Sequence, residues 1–137
     1  MTIDPHDPMH LAMIAAEAAA ARGEVPVGAV IVGPEGMVIA SQGNRIVELR
    51  DPTAHAEILA IREAAAHLGN ERLLQCELYV TLEPCAMCAG AISLARIRHL
   101  HFAAADPKGG GVVHGGRFFE QPTCHHRPEM SQGHLAH

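Results

Sequence analysis

Tryptophan is absent from this 137-residue chain, and its aromatic rings are one tyrosine and three phenylalanines: Tyr79, Phe102, Phe118 and Phe119. That scarcity argues against a platform on which a strand stacks several bases in series, a mode that needs a row of aromatic faces. One extruded base in a pocket would need much less. Positive charge is also short, with ten Lys and Arg against fifteen Asp and Glu, for a formal charge of −5. Broad, nonspecific binding to nucleic acid requires a basic surface that releases counterions, so it is disfavoured, while a local basic site is not. No apolar run approaches the roughly 18 to 20 residues of a membrane helix, and the opening "MTIDPHDPMH" has no basic segment of the kind that begins a secretory signal. The expectation is a soluble, cytoplasmic protein. Its four cysteines, Cys76, Cys85, Cys88 and Cys124, would then stay reduced, which ranks metal binding or catalysis above disulfides.

What is present suits one ordinary domain over residues 1–137, 48% hydrophobic and long enough to bury a core without disulfides. From Met9 to about Arg22, "MHLAMIAAEAAAAR" is rich in strong helix formers, and Gly23 stands where a glycine would end the helix. "VPVGAVIVG" and "MVIASQGN", joined by "GPEG", read as a β-hairpin. A second helix is expected to begin at or just before His55, with Thr53 as N-cap, apolar Ile58, Leu59, Ile61 and Leu68, and a stop at Gly69 and Asn70. "ELYVTLE" reads as a strand, "CAMCAGAISLAR" as a helix from Cys85 onward, and "RHLHFAAA" as another strand. Strands alternating with helices imply parallel crossovers. The fold class is therefore α/β: a three-layer α/β/α sandwich around a mixed sheet, with the hairpin as its antiparallel edge. Beyond Asp106 the chain reads as loop, and from Gln121 onward as polar with weak periodicity.

Cys85 and Cys88 fall three apart in the first turn of a helix, so both sulfurs can project to one side, within reach of one ion. The helix N-terminus favours negative charge and so favours thiolates. Cys-x-x-Cys alone fits a metal site, a redox pair or plain buried thiols. A redox pair does not require His55-Ala56-Glu57 at the start of another helix. One imidazole and two thiolates make three ligands for tetrahedral Zn²⁺ with the fourth position open to water, an arrangement for catalysis. Glu57 is then the proton carrier. His-x-Glu followed by Pro-Cys-x-x-Cys is the signature of zinc deaminases, so this step matches a pattern and does not deduce a reaction.

"VPVGAVIV", "DPTAHAEILAIR" and "LYVTLEPCAMCAGAISLARI" resemble the corresponding segments of bacterial tRNA-specific adenosine deaminases, within the cytidine-deaminase-like superfamily, over about residues 9–133. The resemblance implies hydrolytic conversion of adenosine to inosine at the wobble position of a tRNA anticodon stem-loop, usually of an arginine tRNA, by a homodimer with one Zn²⁺ per subunit. It assigns His55, Cys85 and Cys88 to the metal, Glu57 to proton transfer, Asn44 to the target nucleoside and Asp106 to the ribose of a neighbouring nucleotide. The asparagine amide can both donate and accept toward a purine edge. Asn44 also reads as a turn residue closing the hairpin, and Asp106-Pro107 as a loop initiator whose following glycines let a backbone approach RNA. Lys108, Arg45 and Arg50 read first as solvated cations, and His125 and His126 as a polar surface loop. Ala86, Ala89, Gly90 and Ala91 give the thiol-bearing helix a thin face suited to a second subunit. The resembling proteins continue into an amphipathic C-terminal helix, of which "GHLAH" would be only the beginning, so that helix is expected to be truncated.

Two other functions fit the same residues. Guanine deaminase, or another deaminase of a free base or nucleoside, would use the same chemistry on a smaller substrate. A noncatalytic zinc-binding subunit would require a fourth protein ligand, for which Cys76 or Cys124 is the candidate.

Overall fold

A computed structural model of the chain describes residues 6–133. The expected start of a further helix at the C-terminus lies outside the described residues. Helix α1 (Pro8–Ala21) begins at Asp7, whose carboxylate accepts from the Met9 backbone N–H at 3.2 Å, and Pro8 occupies the first turn. It ends as expected, with Gly23 in the left-handed region at φ 86°. Met9, Ala12, Ala16 and Ala19 are buried along one stripe, so the alanines serve packing. Gly28 permits close approach of α1, since a Cβ there would run into the Ala12 carbonyl oxygen.

Strands β1 (Gly28–Val32) and β2 (Val38–Gly43) form the hairpin. A short helix α2 (Ile46–Leu49) follows, which the sequence reading did not include. The buried Glu24 carboxylate caps it, accepting from Val47 N–H at 3.1 Å and Glu48 N–H at 2.9 Å. Then come α3 (Ala56–Leu68), β3 (Glu77–Leu82), α4 (Ala86–Ala95), β4 (His99–Ala104), a 3₁₀ turn at Phe118–Glu120 and β5 (Glu129–Gln132). The sheet order is β2-β1-β3-β4-β5, antiparallel at the first two junctions and parallel at the last two. This is the expected mixed sheet, with the hairpin strand β2 at one edge.

Three layers follow from the alternation of side chains along each strand. Ala29, Ile31, Leu78, Val80, Leu100 and Phe102 face α3 and α4, meeting Ala60, Ala64, Ala89 and Ile92 in the main core. On the other face Val30 and Tyr79 meet Met9 and Ala12 of α1. Strand β5 is absent from the sequence reading because "EMSQ" has no alternation of apolar and polar residues and no β-branched residue; pairing with β4 makes it a strand. One helix detail is also corrected. Thr53 is not the N-cap of α3: His55 holds that position, while Thr53 donates its N–H and hydroxyl to Asp51 in the preceding turn. The buried face of α3 is Ala56, Glu57, Ala60 and Ala64, and Ile58, Leu59 and Ile61 are only half-buried, because small residues let the helix lie close to the sheet.

Candidate active site

His55 and Cys85 are the N-cap residues of α3 and α4, and Cys88 is the third residue of α4. These helices lie side by side on one face of the sheet, which brings their N-termini together. His55 Nδ1 lies 3.7 Å from Cys85 Sγ and 3.6 Å from Cys88 Sγ. One donor atom from each of the three residues falls within 4.8 Å of the other two. An imidazole and two sulfurs at this spacing suit zinc in both donor type and reach. Hydrogen bonding from Cys88 holds the Cys85 thiol down to about 5, and the same bond, reinforced by burial, pushes Cys88 up. A lowered thiol at the start of a helix is suited to meet a cation as thiolate.

Glu57 is 3% exposed. Burial pushes its carboxyl up to about 7 and the Cys85 charge adds to this, while its own backbone N–H and His55 pull the other way. Glu57, His55 and Cys85 line one cavity of about 240 Å³, together with Val25, Val27, Asn44, Ile46, Leu82, Glu83, Asp106 and Gly109. Val25, Val27, Ile46 and Leu82 form its aliphatic part, and neither Tyr79 nor any of the three phenylalanines lines it.

The structure brings Asn44 and Asp106 to this cavity. The Asn44 Oδ1 accepts from the Ala56 N–H at 2.7 Å and so caps α3, which its own N-cap residue His55 does not do. One of the two acceptor positions of the Asn44 oxygen is thus committed to α3, and its Nδ2 donor takes no part in that bond. Asp106 Oδ1 accepts from Lys108 N–H at 3.2 Å and Gly109 N–H at 3.1 Å, so it does initiate the loop, at the cavity wall.

Glu83, between Leu82 and Pro84, organises this loop. Its side chain is fully buried. Oε1 accepts from Asp106 N–H and His114 Nδ1, and Oε2 from the N–H groups of Val112, Val113 and His114, all at 2.8–3.0 Å. Burial opposes its ionisation, but the bonds from His114 and the backbone prevail and hold it at about 2. The clue in the sequence was a carboxylate between a strand end and Pro84, a place with no solvent to receive it. The glycines of "DPKGGG" are also reassigned: a Cβ on Gly110 would strike the Glu83 carboxylate, and one on Gly111 would stand 2.6 Å from the Ala86 nitrogen. Their smallness lets the loop approach its own protein.

Cys76 is buried, its thiol directed to the Leu74 carbonyl, and Cys124 bonds to the His126 carbonyl at 3.1 Å. Among the described residues neither belongs to the His55, Cys85, Cys88 cluster, which leaves that cluster three-membered. His125 is exposed, whereas His126 is anchored through Nε2 to the Ile97 carbonyl at 2.7 Å. The thin face of α4 is only partly available: Ala89 is in the core and Gly90 backs onto Phe118, while Ala86, Met87 and Leu94 are exposed.

Residues 4–104 match the family described as the cytidine and deoxycytidylate deaminase zinc-binding region, and the chain belongs to that family. More specifically, it is 60% identical over 125 residues to the tRNA-specific adenosine deaminase of Agrobacterium fabrum strain C58, covering 91% of this chain and 82% of that protein. A solved structure from work on A-to-I editing by tRNA:A34 deaminases at the wobble position of transfer RNA matches with TM-score 0.90 and 60% identity, over 92% of this chain and 96% of that one. The guanine deaminase of Bacillus subtilis matches with TM-score 0.70 and 40% identity, over 75% of this chain and 66% of that one. The resemblance and the α/β fold read from the sequence are borne out.

Proposed function

We propose that this chain is a zinc-dependent deaminase that converts adenosine to inosine at the wobble position of a tRNA anticodon stem-loop. The observation that carries the reading is the meeting of His55, Cys85 and Cys88 beside the buried Glu57 in one solvent-open cavity. The 60% identity to a tRNA-specific adenosine deaminase selects the substrate. His55, Cys85 and Cys88 hold one Zn²⁺ per subunit. When bound, the ion lowers the pKa of a water so that it attacks at neutral pH.

The residues divide the remaining work. Val25, Val27, Ile46 and Leu82 enclose the extruded base. Asn44 donates from Nδ2 to its purine edge, and Asp106, fixed by Glu83, faces the ribose of a neighbouring nucleotide. Glu57 takes a proton from the attacking water and passes it to purine N1 as oxygen bonds to C6. It then takes the remaining proton from the C6 hydroxyl and delivers it to the exocyclic nitrogen as the C6–N bond breaks, releasing ammonia and leaving the C6 carbonyl of inosine. The enzyme works in the cytoplasm, where an arginine tRNA is its substrate. It acts as a homodimer through α4, whose exposed Leu94 lines a shallow cavity with Ile58, Ile61 and Ala91.

The likeness to a guanine deaminase supports the rival reading, a free base in the same cavity. Incubating the zinc-loaded protein with an arginine anticodon stem-loop, guanine, cytosine and cytidine, while following inosine and ammonia, decides between them. Inosine in the stem-loop with no turnover of the small substrates is the expected result. Ammonia from guanine alone would overturn the RNA assignment.

A further inference from the structure

A second cluster of metal-ligating side chains lies away from the cavity. Glu77 opens β3, whereas Cys85 follows its far end, about 20 Å along an extended chain of that length. Glu77, His99 and Glu129 are paired across β3, β4 and β5, and His101 stands two residues beyond His99 on the same face of the sheet. This is the face that α1 covers, but α1 packs on β1, β2 and β3. The edge formed by β4 and β5 therefore presents polar side chains where the other strands present apolar ones.

His101 Nε2 lies 2.8 Å from Glu77 Oε1, and the His99 and His101 rings lie parallel with centroids 3.9 Å apart. His99 reaches Glu129 through Nδ1 at 3.4 Å and Ser131 Oγ through Nε2 at 2.7 Å. One ligand atom from each of Glu77, His99 and His101 lies within 4.8 Å of the others. We propose that Glu77, His99 and His101 form a second site for a divalent transition-metal ion.

The donor chemistry selects the ion. Two imidazoles and a carboxylate suit Zn²⁺, Ni²⁺ or Co²⁺, whereas Mg²⁺ and Ca²⁺ prefer oxygen alone. Donors around one such ion at about 2.0–2.2 Å stand roughly 3–4 Å apart; the lone pairs of two parallel rings do not converge, and His101 is also stacked on Tyr79 with centroids 4.1 Å apart, so binding requires the His99 ring to swing out of the stack into another rotamer. The cluster is partly accessible: the Glu77 and His99 side chains are 25% and 19% exposed, and that of His101 is 10% exposed. A bound ion would tie β3, β4 and the edge strand β5 together, a link through side chains in addition to the backbone ladder. No thiol takes part, so this site and the His55, Cys85, Cys88 cluster are independent.

The test uses the full chain, stripped of metal, reloaded with one equivalent of Zn²⁺ and titrated with Ni²⁺ by calorimetry. A further equivalent binds, and the Glu77→Gln/His99→Asn double variant binds it more weakly by about 10- to 100-fold, with the rate of inosine formation unchanged. Histidine imidazole NMR on the unmodified protein gives a reading that needs no variant to fold: Ni²⁺ broadens the His99 and His101 signals first. Absence of a second equivalent, full binding by the double variant, or broadening that begins at other histidines overturns the proposal.

Discussion

At the residue scale, two side chains separate binding from chemistry. Glu57→Ala removes the proton carrier and leaves all three ligands of the cluster in place, so zinc content stays at that of the unmodified protein while inosine formation falls by about 10²- to 10⁴-fold. Metal analysis and turnover on the same sample check this. Asn44 has two duties on one amide. Asn44→Ala loses the α3 cap and costs about 1 kcal/mol in denaturant unfolding, whereas Asn44→Asp keeps an acceptor at a helix N-terminus and unfolds close to the unmodified protein. Both lose the Nδ2 donor, so kcat/KM on the stem-loop drops for both by about tenfold, the cost of one hydrogen bond. Retained activity in Asn44→Asp would remove Asn44 from substrate contact. The residue types and spacings of His55, Glu57, Cys85 and Cys88 were legible because an i, i+3 pair at a helix start has few geometric outcomes. The commitment of the Asn44 oxygen was not legible, since it depends on where α3 begins relative to a residue twelve positions away.

At the scale of elements, the loop from Asp106 to His114 owes its shape to one carboxylate. Glu83→Ala would leave five donors turned toward a cavity without an acceptor, and we expect at least about 2 kcal/mol of destabilisation together with faster proteolysis within the loop. Glu83→Gln keeps the shape but carries two hydrogens of its own on one arm, so it rescues only part. Gly111→Ala tests the other side of the contact: the added methyl meets the start of α4, and stability falls without loss of any charge. The helices α1, α3 and α4 and the strands β1 to β4 follow from composition and periodicity. The short elements α2 and β5 do not, because four residues carry too little local preference. α2 exists through the Glu24 cap and β5 through its ladder with β4. The buried face of α3 has the same origin: alanine says nothing about direction until a sheet lies against it.

At the scale of the whole molecule, the sheet places two helix starts side by side and leaves part of α4 outward. Leu94 is 71% exposed, and Leu94→Glu is expected to shift a dimer toward monomer in gel filtration with light scattering. A chain that is monomeric before substitution would count against association through α4. The fold supplies the cavity, but the chemistry assigned to it requires the ion held by His55, Cys85 and Cys88. Inosine formed per minute on an arginine anticodon stem-loop, with zinc quantified in the same sample before chelation, after chelation and after zinc is returned, measures that dependence. The rate is expected to vanish with the metal and to return in proportion to it, reaching its maximum at one zinc per chain. Undiminished inosine formation by the zinc-free protein would contradict it.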